Sequence, residues 1–378
     1  MSLPVSKSLS INKGSEEGIK EILKYLLVTD RVRGVFTLTR TGENGSLNYS
    51  LITNSNELND TAPLFPIMPA NAGGLLSRLT LKDSLSDPVA AVLRPCELRA
   101  FIELIKREQG NLDNFLLISS TCGGVYPLET YCNGNIEGKL ENYWNSLKKG
   151  EIATELRPTC MSCEYLMPHN ADITIALVGK KDSDKQCSLF LNNEKAEMFL
   201  EGFNGSMKNE DILSDEIQLL IDKRKDKKQT LFNEFEFENL GLEGVIDTFG
   251  KCIGCHGCSS VCPICYCNLC DFESKDYEYK PITYEIELRK RGGVRIPPNT
   301  ILYQIGRLTH ITFSCVGCGM CSDVCPVDIP ISTLFLKIGD SVQKLFKYIP
   351  GTELDEKIPV ATFQLEEFEE FESYKSES

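Results

Sequence analysis

Apolar residues recur three and four apart at Ile19, Ile22, Leu23, Leu26 and Leu27, which predicts an amphipathic helix over residues 16–28. Runs of strand type at 34–39 and 47–53, joined by the polar turn 41–45, predict a hairpin. The next unit says more. A short apolar run at 88–93 precedes a helical pattern at 97–106, with Leu98, Phe101, Ile102 and Ile105 on one side, and a second apolar run follows at 115–118. That order and spacing predict a crossover between two parallel strands. Cys96 then falls just past the first strand and Cys122 just past the second, on the shared carboxyl edge where open parallel sheets bind ligands. A further apolar strand is predicted at 173–178, shortly after the Cys-x-x-Cys pair Cys160 and Cys163.

The pattern changes near residue 222. A Lys-dense run from Asp222 gives way to Glu-rich sequence as far as Glu243, expected to be a linker or the solvated face of a helix. Residues 251–330 are dense in Cys, Gly and Pro, with helix-compatible patterns at 284–290, 299–308 and 331–346. The expected organisation is α+β: a mixed α/β domain over 1–222, a linker over 223–245, a helical domain over 246–350 and an acidic tail over 351–378. Acidic and aromatic residues alternate in that tail from Leu365 to Phe371, as a segment docking on a partner or as a solvated terminus.

Charge and cysteine content narrow the function. The 378 residues carry 40 Lys and Arg against 54 Asp and Glu, a net −14, which argues against nucleic-acid binding through phosphate neutralisation. No stretch approaches about 18 uninterrupted apolar residues, and the polar start lacks the core of a signal peptide. A cytoplasmic location is therefore expected, and there 17 cysteines call for metal or redox chemistry rather than disulfides.

The cysteine spacing identifies that chemistry. Cys252-x-x-Cys255-x-x-Cys258-x-x-x-Cys262-Pro263 and Cys315-x-x-Cys318-x-x-Cys321-x-x-x-Cys325-Pro326 both fit the ferredoxin run for [4Fe–4S] clusters. One tight turn supplies three thiolates and the Cys before Pro crosses to the other cluster, so one set is Cys252, Cys255, Cys258 and Cys325. The other is Cys315, Cys318, Cys321 and Cys262. Structural zinc would call for separated Cys pairs instead. The 52 residues between Cys262 and Cys315 favour a helical dicluster domain over a compact ferredoxin. Cys96, Cys122, Cys160 and Cys163 together make a third cluster, the alternative for Cys96 and Cys122 being small buried hydrophobes. Cys132, Cys187, Cys265, Cys267 and Cys270 remain, the last three either recruiting a fourth cluster or packing around the assigned ones. No Ser-His-Asp, His-Glu-x-x-His or Walker pattern is present. Iron–sulfur cubes move single electrons, and a flavin is the usual converter to hydride. The best local candidate for holding one is Asn71, Gly73, Gly74 and Arg78, where paired glycines allow close approach and an arginine can meet a phosphate; a plain turn before a helix reads equally well.

The segments 65–79, Arg94-Pro95-Cys96-Glu97-Leu98-Arg99-Ala100, Thr121-Cys122-Gly123-Gly124 and Thr159-Cys160-Met161-Ser162-Cys163 resemble the beta subunit of coenzyme F420-reducing hydrogenases and F420-dependent formate dehydrogenases. Cys262-Pro263-Ile264-Cys265-Tyr266-Cys267 and the 315–321 motif resemble the longer, formate dehydrogenase type, and the likeness runs from about residue 63 to 350. It implies an FAD in the first domain, a [4Fe–4S] cluster near it, and electron exchange between a hydride carrier, F420 or similar, and a catalytic redox partner subunit of formate dehydrogenase, hydrogenase or heterodisulfide reductase type. The competing expectation is a flavin-free adaptor that passes electrons between partner enzymes.

Overall fold

In a computed structural model, which describes residues 6–42, 45–210, 214–235, 237–274 and 279–359, one eight-stranded sheet organises the first half of the chain. Its strands are β1 (Ser6–Ile11), β2 (Gly34–Thr41), β3 (Ser46–Ile52), β4 (Val89–Val92), β5 (Phe115–Ser120), β6 (Ile173–Ala176), β7 (Cys187–Leu191) and β8 (Ser206–Glu210), in the order β3-β2-β4-β5-β6-β7-β1-β8. The helices of this half are α1 (Ser15–Val28), α2 (Ala72–Leu79), α3 (Pro95–Ile105), α4 (Leu128–Cys132), α5 (Glu137–Lys149), α6 (Pro158–Met161), α7 (Glu194–Phe199) and α8 (Asp215–Asn233). The rest of the described chain is helical: α9 (Phe237–Gly250), α10 (Gly257–Ser260), α11 (Pro281–Arg291), α12 (Thr300–Ile311), α13 (Met320–Asp323) and α14 (Ile331–Leu345).

The predicted crossover is present. β2, β4, β5 and β6 run parallel through the middle of the sheet, while β3, β7, β1 and β8 pair antiparallel around them. β4 is buried at every position and β5 at all but its last, which is why they read as continuous apolar runs rather than alternating ones. The apolar stripe of α1 is buried at all five predicted positions, in one core with Leu9, Leu116, Ile175 and Leu189 of the sheet. Four parallel strands leave their carboxyl ends on one edge, so the loops bearing Cys96 and Cys122 emerge side by side.

The expected linker takes another form. α8 runs through the boundary at 222/223, and the Lys-dense stretch is its second half. Arg224 on that helix is 1% exposed, with Nη2 donating to the Gly123 carbonyl at 2.7 Å and Nη1 to that of Cys163 at 3.3 Å. Lys228 pairs with Glu164 at 2.8 Å and also with Asp340 of α14, so the helix clamps the two halves together.

Further contacts dock the helical half on α3 and on the carboxyl edge of the sheet. Arg99 donates from Nε to the Pro350 carbonyl at 2.8 Å, and buried Glu103 accepts from Tyr348 Oη at 2.5 Å and from the Gly351 amide at 3.2 Å. Gly351 has φ +70°, and a Cβ there would lie 1.9 Å from the Arg99 carbonyl oxygen, so only glycine fits this seam. Arg157 crosses to Asp323 with Nε at 2.7 Å and Nη2 at 2.5 Å; both side chains are buried. No described helix is long and apolar enough to cross a membrane. The tail segment from Leu365 to Phe371 lies outside the described residues.

Candidate iron–sulfur sites

The two ferredoxin-type loops share one backbone course. Gly254 and Gly317 occupy equivalent places with φ +67° and +70°, and His256 and Gly319 follow with φ +57° and +80°. These left-handed turns fold each Cys-x-x-Cys-x-x-Cys back on itself and lead into α10 and α13, which carry Cys258 and Cys321 and pack against each other. Cys262, just past α10, lies beside Cys315 and Cys318, and Cys321 lies beside Cys262, Cys318 and Cys315. Cys262 is thus a neighbour of thiols in the second loop, and of Cys265 as well. Around the first loop, Gln304 Nε2 stands 3.5 Å from Cys252 Sγ and 3.8 Å from Cys258 Sγ, and Tyr303 Oη stands 3.8 Å from Cys258 Sγ. Gly257 lies against Val324, which brings the neighbouring Cys325 toward that loop.

Cys96, Cys122, Cys160 and Cys163 line one pocket, whose wall also contains Cys318 of the second ferredoxin-type loop. The sheet edge supplies the first two, α6 and the residues after it the others. Met68, Val125 and Met320 form an apolar seal beside it, joining the two halves of the molecule. Three buried guanidinia surround the thiols: Arg94 donates to the Phe65 and Ile67 carbonyls, Arg157 to those of Met68 and Cys318, and Arg224 to those of Gly123 and Cys163. Burial pushes the Cys160 thiol up to about 12, against the pull of Arg157, and raises Cys96 and Cys122 as well. In the second loop burial pushes Cys315 up to about 11. Thiols this buried stay protonated at neutral pH unless a metal displaces the proton. Four soft donors in a pocket with cationic walls fit an iron–sulfur cluster. Among the described residues no three His, Cys, Asp or Glu side chains crowd one point closely enough to hold a single metal ion, so the sulfurs are grouped around cavities instead.

Comparison with known proteins bears on the two ferredoxin-type loops and on the family. Residues 248–329 match the 4Fe-4S dicluster domain family. The chain is 30% identical to the F420-dependent formate dehydrogenase subunit beta of Methanocaldococcus jannaschii, over 90% of this chain and 92% of that one. It is 29% identical to the F420-dependent formate dehydrogenase 1 subunit beta of Methanococcus maripaludis, over 93% and 94%. The chain belongs to the family of F420-dependent formate dehydrogenase beta subunits. The family is one of oxidoreductase subunits. A chain from a solved structure of the F420-reducing [NiFe] hydrogenase complex of Methanosarcina barkeri aligns at TM-score 0.44 and 12% identity, covering 64% of this chain and 95% of that one.

For this member of the formate dehydrogenase beta family, the flavin contacts expected from the sequence do not form a phosphate cradle. Asn71 caps α2 with its own side chain, accepting from the Gly74 amide at 3.2 Å, and the Glu97 carboxylate accepts from the Ala72 amide, also at 3.2 Å. A phosphate at this helix start would face a carboxylate. The close approach that Gly73 permits is to another helix: a Cβ there would lie 2.1 Å from the Glu97 carbonyl oxygen and 2.7 Å from the Phe101 nitrogen. Gly74 faces Pro263, and Arg78 is exposed in the last turn of α2, remote from the cap. Asn71, Gly73, Gly74 and Arg78 therefore join α2 to α3 and to the dicluster domain, and they do not fit a flavin. Asn71 has a different neighbour in Cys318, and its Nδ2 is buried with no hydrogen-bond partner among the described residues. Sequence spacing held no sign of that contact, since the two residues are 247 positions apart.

Two of the remaining cysteines stand apart. Cys187 on β7 is wholly buried against α1, where a Cβ at Gly18 would meet its own Cβ at 2.4 Å, and Cys132 is exposed at the end of α4. His256 donates from Nδ1 to the Glu273 carboxylate at 2.8 Å and stacks on Tyr303, while burial lowers the pKa of His169.

Proposed function

We propose that this chain is the electron-transferring subunit of a hetero-oligomeric oxidoreductase, linking a hydride carrier of the coenzyme F420 type to a catalytic partner subunit of the formate dehydrogenase kind. Cys252, Cys255, Cys258 and Cys325 would hold one [4Fe–4S] cluster, Cys315, Cys318, Cys321 and Cys262 a second, and Cys96, Cys122, Cys160 and Cys163 a third. Bound there, such clusters supply one-electron transfer. The observation that carries the reading is the place of Cys318, which faces Cys262 and Cys321 and also stands in the wall of the Cys96 cavity. The first domain and the dicluster domain thereby share one buried sulfur-rich core.

The chain's own residues prepare that core. Arg94, Arg157 and Arg224 place positive charge beside thiolates that burial would otherwise keep protonated. Gln304 directs its amide at two sulfurs. Met68, Val125 and Met320 exclude water from the seam. The occupied Asn71 loop favours a second reading, a flavin-free adaptor between partner enzymes; in the first reading the FAD is held by residues other than Asn71, Gly73, Gly74 and Arg78. Iron, acid-labile sulfide and extracted flavin per chain of anaerobically purified protein test both. At least about twelve irons are expected, at four per cube, with one flavin and with bleaching of the cluster absorbance by reduced F420. About eight irons would remove the Cys96 set, and absence of flavin would leave the adaptor.

A further inference from the structure

Cys265, Cys267 and Cys270 have no part in the three sets. They follow Cys262 on the segment leaving α10, where the Cys265 amide donates to the Cys262 carbonyl at 3.1 Å. All three line one cavity of about 510 Å³, and Cys265 lies beside both of the others. Packing does not account for this grouping. Ile264 is buried and Cys265 and Tyr266 pack against the same core, but Cys267 is exposed and Leu269 is 98% exposed, so packing covers only the first part of the segment.

Arginine and aromatic side chains make up much of the remaining wall. Arg107, Arg307, Tyr303 and Phe272 line it together with His310 and the carboxylate of Glu273. Arg307 is 3% exposed; its Nη2 donates to the Cys258 carbonyl at 3.1 Å and its Nη1 lies 3.5 Å from Gln304 Oε1. Its Nε is buried without a hydrogen-bond partner among the described residues. The same guanidinium neighbours Cys258, Cys262 and Cys265, one thiol from each of the two ferredoxin-type sets and one from the unassigned group. Three soft donors and a buried, partly unsatisfied cation define a site for an anionic, sulfur-loving group. A single zinc ion does not suit it, because no three such side chains converge on one point, and in this respect the group resembles the three cluster sets.

We propose that Cys265, Cys267 and Cys270 bind a fourth [4Fe–4S] cluster in this cavity, with His310 as the ligand of the iron that no thiolate reaches. Histidine replaces cysteine on iron in other cluster types, so the donor set is chemically ordinary. Through Cys262, next along the chain, the site adjoins the second ferredoxin-type set, and it widens the sulfur core toward solvent. The inference rests on the proposed function only for its role in electron transfer; the cluster itself is read separately.

The test compares the full chain, purified anaerobically, with the variant Cys265→Ser/Cys267→Ser/Cys270→Ser. The variant is expected to lose about four irons and four sulfides per chain relative to wild type, whatever the wild-type total. Failure of the Cys96 set lowers both totals alike and leaves that difference intact. Cys267→Ser alone, at an exposed position where folding is not at stake, is expected to alter or abolish one reduced-state EPR signal, and His310→Ala to alter the same signal. Equal iron in wild type and triple variant overturns the proposal, as does one zinc per chain lost with the trio while iron is unchanged. An EPR spectrum indifferent to His310→Ala overturns the assignment of the fourth ligand.

Discussion

Gln304 gives the most direct check on the cluster environment. The side chain is 1% exposed on α12, with Nε2 3.5 Å from Cys252 Sγ and 3.8 Å from Cys258 Sγ, and its Oε1 faces Arg307 Nη1. An N–H directed at a cluster sulfur favours the more negative, reduced state, so it raises the reduction potential. Gln304→Leu removes the donor and keeps an apolar side chain of similar length. A net hydrogen bond is worth about 0.5–1.5 kcal/mol, and a one-electron couple moves about 59 mV per 1.4 kcal/mol, which gives a fall of about 20–65 mV. Gln304→Glu retains an acceptor for Arg307 but places a carboxylate at the sulfurs, so its potential is expected below that of the Leu variant. The assay is an EPR-monitored redox titration under anaerobic conditions, with iron content verifying that the cluster is intact. A shift under about 10 mV, or a positive one, would refute the reasoning, since it would mean that the amide does not discriminate between oxidation states.

Arg157→Met leaves Asp323 buried without its cation and is expected to cost about 3–5 kcal/mol, read as a lowered thermal midpoint; Arg157→Met/Asp323→Asn, which keeps an acceptor for the Leu128 amide, should recover part of the loss. Cys96→Ser should remove about four irons and leave the ferredoxin-type clusters in place, which iron analysis and EPR would show. Gly351→Ala forces a side chain against the Arg99 carbonyl at a left-handed position and is expected to cost more than about 1 kcal/mol. Hydrogen exchange should then rise along α3 and residues 348–351, and unchanged protection there would mean that the seam does not hold the two domains together.

The elements legible in the sequence are those whose burial is one-sided or complete. β4, α3 and β5 could be placed because continuous apolar runs flank a helical period, and the cysteine loops because their motif is duplicated. β1 and β8 were not, since Ser6-Lys7-Ser8-Leu9-Ser10-Ile11 carries two apolar residues and Ser206-Met207-Lys208-Asn209-Glu210 carries one; they are held by pairing with each other and with β7. The Lys-dense run of α8 read as solvated because composition cannot reveal that one arginine among seven neighbouring charges turns inward to two carbonyls. Gly73 and Gly74 are places of close approach. A sequence does not say whether a phosphate or another backbone approaches, and here a helix and Pro263 do.

The buried arginines tie the two halves of the reading together. In a chain of net charge −14, guanidinium groups at Arg94, Arg157, Arg224 and Arg307 are almost entirely removed from water around the cysteine sets. Burying such a charge is costly unless it is paired. Arg94 has Glu97 at 3.5 Å and Arg157 has Asp323. Among the described residues no carboxylate pairs with Arg224 or Arg307, whose neighbours are carbonyls and the thiols of Cys122, Cys258, Cys262 and Cys265. Burial works against the charge on Arg307, yet the sulfurs of Cys258, Cys262 and Cys265 together with Tyr303 raise its pKa, so the guanidinium, which stays protonated throughout, lacks counter-charge whenever the sulfur beside it is neutral. Burial meanwhile drives the Cys122, Cys262 and Cys265 thiols toward their neutral form. Metal bound by these cysteines would take the protons' place, leaving the sulfurs anionic and giving the arginines counter-charge. Metal loading and docking of the dicluster domain are accordingly one equilibrium, so removing iron anaerobically with a chelator should increase hydrogen exchange in α8 and α12 together with the cluster loops. Exchange confined to the loops would show that the arginines are satisfied by carbonyls alone.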